Sequence, residues 1–154
     1  MLVGVVPPPL HGQSLATKVL FESDLSPIKP IIVEIRSSTR LTEIGKFSFK
    51  KLLGIANVIG QTYKLWLIHR PKTLYYTAGS GAWVPFARDL IFLCLCRPLF
   101  SKVLIHFHSG NLPEFLEGSA LRSWLGRYIY GRGVWAIRLG DFCPAPYYPG
   151  NGRF

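Results

Sequence analysis

Acidic residues are scarce in this sequence. Eight Asp and Glu stand against 18 Lys and Arg in 154 residues, a formal net charge of +10. Such an excess favours an anionic partner: a phosphorylated substrate, an acidic lipid surface, nucleic acid or an acidic neighbouring domain. Cysteine is scarce too. Three cysteines build no disulfide framework; Cys94 and Cys96 fall in an apolar run and Cys143 in a Pro-rich stretch, so all three read as reduced thiols of a cytosolic protein. No apolar run reaches the roughly 20 residues that a membrane-spanning helix needs. Residues 52–68 are interrupted by Asn57, Gln61 and Lys64, and residues 82–105 by Arg88, Asp89, Arg97 and Pro98. The opening apolar run lacks a basic segment and meets Pro7, Pro8 and Pro9, so no signal peptide is expected.

What is present describes a folded domain. Hydrophobic residues make up 49% and charged residues 17%, which excludes a disordered chain. Apolar runs at 2–6, 31–35, 73–77, 102–107 and 134–139 predict five strands. Helical spacing predicts helices over 13–23, 47–68, 83–96 and 113–130. In the first, Leu15, Val19 and Leu20 share a side. In the second, Leu52, Leu53, Ala56, Ile59, Tyr63 and Leu67 recur every three or four residues. Strict alternation of strand and helix means βαβ units: an α/β fold, Rossmann-like, with an open parallel sheet of about five strands and helices on both faces. The domain is expected to span 1–140. Residues 141–154, rich in Pro, Gly and Tyr, read as an irregular tail or a truncated interdomain linker.

Open parallel sheets bind ligands beyond the carboxyl ends of their strands. Three Gly-containing loops leave strand ends there: 7–12, 78–81 and 108–111. They would bring His11, Gly12, Gln13, Ser14, Ser80, His108, Ser109, Gly110 and Asn111 to one rim. His11-Gly12-Gln13-Ser14 opens a helix, and a helix start with a glycine can cradle a phosphate. The loop is neither GxGxxG nor a Walker motif, and its plain reading is a βα turn. His106 and His108 lie two apart on a strand end and could share one side. No third ligand stands at useful spacing, so metal-independent chemistry is expected. One of the pair is expected to pack and the other, His108, to face the rim, where it can donate to a hydroxyl or a phosphate. Ser80 is no hydrolase nucleophile, because Ala78 and Ala82 occupy the outer glycine positions of GxSxG.

The run from Pro7 through His11-Gly12-Gln13-Ser14-Leu15-Ala16-Thr17 resembles the opening of family 4 glycosyltransferases, which have the GT-B fold. Residues 46–51, 74–81, Arg88-Asp89 and 102–112 resemble the same family's acceptor domain in the same order, covering roughly residues 2–140. The resemblance implies the acceptor-binding half of a glycosyltransferase that moves a hexosyl group from a nucleotide-sugar donor to a glycan or lipid-linked acceptor. Gly12 and Gln13 would approach the donor phosphates, and His108 would be the catalytic residue near the transferred sugar. The family's donor domain, with its paired glutamates, has no counterpart in these residues, so a fragment inactive alone is expected. The expected setting is cytoplasmic, at the inner face of the membrane. The helix 47–68, with Lys50, Lys51, Lys64 and Trp66, would lie in the plane of an anionic lipid surface. The alternatives are a stand-alone nucleotide- or anion-binding module, and a basic nucleic-acid-binding protein. No nucleic-acid motif is present, so nucleic acid is not an expected partner.

Overall fold

A computed structural model describes residues 1–8, 10–36, 49–131 and 133–139. Five strands form one sheet: β1 (Leu2–Val5), β2 (Ile32–Ile35), β3 (Thr73–Thr77), β4 (Lys102–Phe107) and β5 (Val134–Arg138). Their order is β2-β1-β3-β4-β5 and every neighbouring pair is parallel. The connecting helices are α1 (Gly12–Glu22), α2 (Phe49–His69), α3 (Trp83–Cys96), α4 (Leu112–Glu117) and α5 (Ala120–Gly126). This is the α/β, Rossmann-like sheet that the alternation of strand and helix predicts. The expected tail, 141–154, and the start of the expected second helix, 47–48, lie outside the described residues.

Side chains alternate across a strand, and β3 shows which helix covers which face. Tyr76 points to the α3 side, where its ring stacks on Phe92 with centroids 4.8 Å apart. Thr77, the next residue, points to the α1 side and accepts a hydrogen bond from the Val5 N–H through Oγ1. Helices therefore cover both faces. The row Val33–Val3–Tyr76–Ile105 crosses the sheet in register, and all four residues are fully buried. Gly4 lets α1 approach β1: a Cβ there would stand 2.6 Å from Thr17 Cγ2.

Two helices turn their apolar stripes the wrong way round from the sequence reading. α1 buries Ser14 and Thr17 and exposes Leu15 and Val19. Its polar face goes inward because Ser14 caps the helix and the Thr17 hydroxyl donates to the Gln13 carbonyl, so neither polar atom is left unsatisfied. α2 buries Val58 and Thr62, with Ile59, Leu65 and Trp66 partly covered, and exposes Leu52, Leu53, Tyr63 and Leu67. The expected helix 113–130 is also divided. Gly118 ends α4 as its C-cap, its N–H donating to the Glu114 carbonyl, and Ser119 is extended. A π-helical turn, Arg127–Gly131, then leads to β5.

The centre of the helix layer holds one buried carboxylate. Asp89 accepts from the Tyr76 hydroxyl (2.7 Å), the Gly79 N–H (2.6 Å), the Tyr130 hydroxyl (2.7 Å) and the Arg88 guanidinium (2.7 and 2.9 Å). Burial alone would lower the Arg88 pKa; Asp89 and the buried phenol of Tyr76 more than offset it, and the net shift is upward. Removing one member of such a pair leaves an uncompensated charge. Asp89→Ala is expected to cost about 3–5 kcal/mol in urea denaturation. Ser80→Ala, in the adjoining turn, is expected to change stability by no more than about 0.5 kcal/mol.

Candidate functional site

The carboxyl ends of β1, β3 and β4 face one rim, and two connections between side chain and backbone join their loops. Gln13 Nε2 donates to the Ala78 carbonyl at 2.7 Å, tying the start of α1 to the exit of β3. The Gly81 N–H donates to Asn111 Oδ1 at 2.9 Å, tying that exit to the loop after β4. The Ser109 hydroxyl also donates to Asn111 Oδ1. Ser80 is half-buried, and its carbonyl accepts from the Ala82 N–H at 2.8 Å. Gly110 is exposed.

The start of α1 is a capping box. Ser14 N–H donates to His11 Nδ1 (3.3 Å), and the His11 N–H donates to Ser14 Oγ (3.0 Å). Leu15 N–H donates to the His11 carbonyl. Ser14 is fully buried, and its hydroxyl also donates to the His11 carbonyl. It therefore serves the cap rather than a face open to ligand. Among the described residues, the amides of Gly12 and Gln13 are the first-turn donors that this cap leaves over. Gly12 is exposed and a Cβ there would meet nothing within 4 Å, so no packing demand explains a glycine at that position.

Three histidines gather beside this helix start. His106 and His108 lie on one side of β4 with ring centroids 4.0 Å apart, while Phe107 between them buries on the other side against Tyr130. Both histidines thus occupy one side, half-buried. Tyr75, diagonal to His106 across β3 and β4, keeps its proton, because burial pushes its pKa up to about 12, and its hydroxyl shares a hydrogen bond with His106 Nδ1 at 2.5 Å. His108 Nε2 is shut off from solvent and has no hydrogen-bond partner among the described residues. Burial lowers the pKa of all three histidines. His108 falls to about 4, through burial first and then the neighbouring His106 and His11.

The cluster is therefore neutral at pH 7. Neutral imidazoles orient hydroxyls by donating or accepting hydrogen bonds, and an arriving anion would raise their pKa values. Among the described residues, no group of three or more His, Cys, Asp or Glu is arranged to hold a metal ion. Sequence reasoning missed Tyr75, whose meeting with His106 depends on the β3–β4 register. No family model, no curated protein and no solved structure matches the chain.

The histidine cluster makes stability depend on pH. In the unfolded chain His108 titrates near 6.5, and in the fold near 4. Between those values the unfolded state binds more protons, so stability falls as pH falls through that window. The melting temperature is expected to drop from pH 6.5 towards pH 4, and His108→Gln is expected to make the drop shallower. Thermal melts by circular dichroism across that range measure both.

Proposed function

We propose that this chain is the acceptor-side half of a nucleotide-sugar glycosyltransferase of GT-B architecture. The observation that carries the reading is the buried, unpartnered Nε2 of His108, at the same end of a parallel sheet as the α1 start. An orphaned buried nitrogen is costly unless a ligand or water completes it. In the proposed enzyme it meets a hydroxyl of the transferred sugar. A pKa near 4 makes His108 a weak base, so its task is to orient that hydroxyl rather than remove its proton. The Gly12 and Gln13 amides, at the positive end of the α1 dipole, face the donor diphosphate. The acceptor, a glycan or a lipid-linked glycan, lies on this side of the cleft. The donor-binding wall is supplied by residues outside these 154. The resemblance of the His11–Thr17 and His106–Leu112 segments to family 4 enzymes supports the assignment.

A stand-alone anion-binding module is the second reading, favoured by one fact: His11, Gly12, Gln13 and His108 all come from this single chain. Affinity separates the two. One wall of a cleft is expected to bind a nucleoside diphosphate weakly, at about 1 mM, whereas a complete module would reach the micromolar range. Titration of the 154-residue chain with uridine and guanosine diphosphates, followed by the His108 ring resonances, gives both the affinity and the site. The expected result is a weak, saturable shift and an upward move of the His108 pKa. No turnover of any nucleotide sugar is expected from these residues alone, since the donor is not fixed against the acceptor. Gly12→Ala is expected to hold or raise stability by about 0.5–1 kcal/mol, because a helical glycine is replaced where there is room, while weakening the shift several-fold. Unchanged His108 resonances at 10 mM nucleotide would sink both readings of the site.

A further inference from the structure

The two faces of the sheet are covered unequally. The fully buried row Val33–Val3–Tyr76–Ile105 lies on the side of α3. The row that alternates with it faces the other way: Ile32, Leu2, Tyr75, Leu104 and Trp135 stand in register across all five strands. All five are only partly covered, and Ile32 and Trp135, at the two edges, are each 36% exposed. Ile137 on the same side is half-buried. A parallel sheet normally buries both faces. Among the described residues α1 is the only helix on this side, and it packs on β1 at Gly4. α2 joins α3 through Tyr63, and the chain from α4 to the π-helical turn joins it through Phe115 and Tyr130, so these lie on the opposite side. The β3–β5 half of the open face has room for one more helix.

α1 has a matching surplus. Ser14 and Thr17 form its inner side, and the side turned away from its own sheet carries Leu15 (48% exposed), Ala16 and Val19 (59%). Its 11 residues make a helix about 16 Å long, against about 17 Å for a five-residue strand. The charges on this side come in both signs. Lys18 and Glu22 pair along α1, and Glu34 and Arg36 pair on β2. Asp24 and Lys29 lie in the connection between those elements. Lys102, at the start of β4, rests over the Trp135 ring and makes no ion pair among the described residues.

We propose that the chain pairs with a second copy of itself, α1 of each copy lying over β4 and β5 of the other around a twofold axis parallel to the strands. Such an axis exchanges the β1 and β5 sides of the sheet, so the helix that covers β1 in one copy fills the vacancy in the other, and the contact is made twice. Leu15 and Val19 then cover the partner's Leu104, Trp135 and Ile137. α1 runs antiparallel to the strands, which sets Glu22, in its last turn, at the end of the sheet where the partner's Lys102 stands. Both rims stay at one end of the dimer. The inference stands apart from glycosyl transfer: it needs neither His108 nor a nucleotide.

Sedimentation velocity of the 154-residue chain tests it. A concentration-dependent dimer of twice the chain mass is expected, half formed at about 10 µM. Val19→Glu is expected to weaken it at least tenfold, whereas Ile91→Glu, on the outer side of α3, leaves it intact. Circular dichroism reports folding, and Val19→Gln replaces the glutamate if the first variant does not fold. Charge reversal tests the arrangement itself. Glu22→Lys and Lys102→Glu are each expected to weaken the dimer several-fold at low salt, and the two together to restore it. Methyl resonances of Leu15, Val19, Leu104 and Ile137 are expected to shift with concentration, and those of Ile91 and Leu95 to stay. Four results would overturn the proposal: a monomer up to about 100 µM, as a cover supplied by another protein would give; a dimer indifferent to both Val19 variants; one that Ile91→Glu dissolves; or a double charge reversal no tighter than the single ones.

Discussion

The carboxylate of Asp89 joins parts of the chain that are far apart in sequence. One oxygen takes the Tyr76 hydroxyl from β3 and the Arg88 guanidinium from α3; the other takes the Gly79 amide from the β3 exit and the Tyr130 hydroxyl from the π-helical turn. Desolvating a carboxylate is expensive, and each of these donors offsets part of that expense. The arrangement also accounts for the glycine at 79. A Cβ there would stand 2.6 Å from Pro85 Cβ, so only glycine brings this amide down onto the carboxylate. The phenols cannot release their protons in this setting, because burial and then the adjacent carboxylate hold the Tyr130 pKa far above its ordinary value. With the β3 exit held from beneath, its carbonyls are fixed in place, and the Ala78 carbonyl becomes an anchor for Gln13. The position of the first loop at the rim thus depends on a carboxylate that never reaches the rim.

Much of this fold could be read from the sequence, because strand and helix announce themselves by local periodicity. The strands 73–77 and 102–107 coincide with β3 and β4, and the helix 83–96 with α3. Periodicity does not say which side of a helix is inside. In α2 the expected stripe Leu52, Leu53, Ala56, Ile59, Tyr63 and Leu67 stays outside except for Ile59, and tertiary packing chose Val58, Ile59, Leu65 and Trp66. In α1 it chose Ser14 and Thr17 over Leu15 and Val19, since only small residues fit where Gly4 lets the helix approach. The last helical stretch divides at Gly118, the C-cap of α4, where glycine is a common helix end, and extended Ser119 starts the next helix.

The candidate site was legible to a similar depth. Strand-end topology brings His11, Gly12, Gln13 and His108 to one end of the sheet, because parallel strands all leave from the same edge. What topology cannot give is the state of the side chains. The neutrality of the histidines comes from burial, to which the neighbouring His106 and His11 add at His108, and the partner of His106 Nδ1 is a tyrosine on the neighbouring strand. Ser14 illustrates the opposite case. A serine at a helix start is equally suited to a phosphate or to a cap, and in α1 the reciprocal bonds with His11 commit it to the cap.

The rim and the outer helical face meet at α3. In a βα unit the helix runs antiparallel to its strand, so α3 begins at the carboxyl end of β3 and descends from the rim. Trp83, at its first turn, is exposed and within ring contact of Phe115, which follows the Asn111 loop. The apolar stripe of Trp83, Ala87, Ile91 and Leu95 therefore starts beside the loops that carry Gly81 and Asn111 and runs away from them.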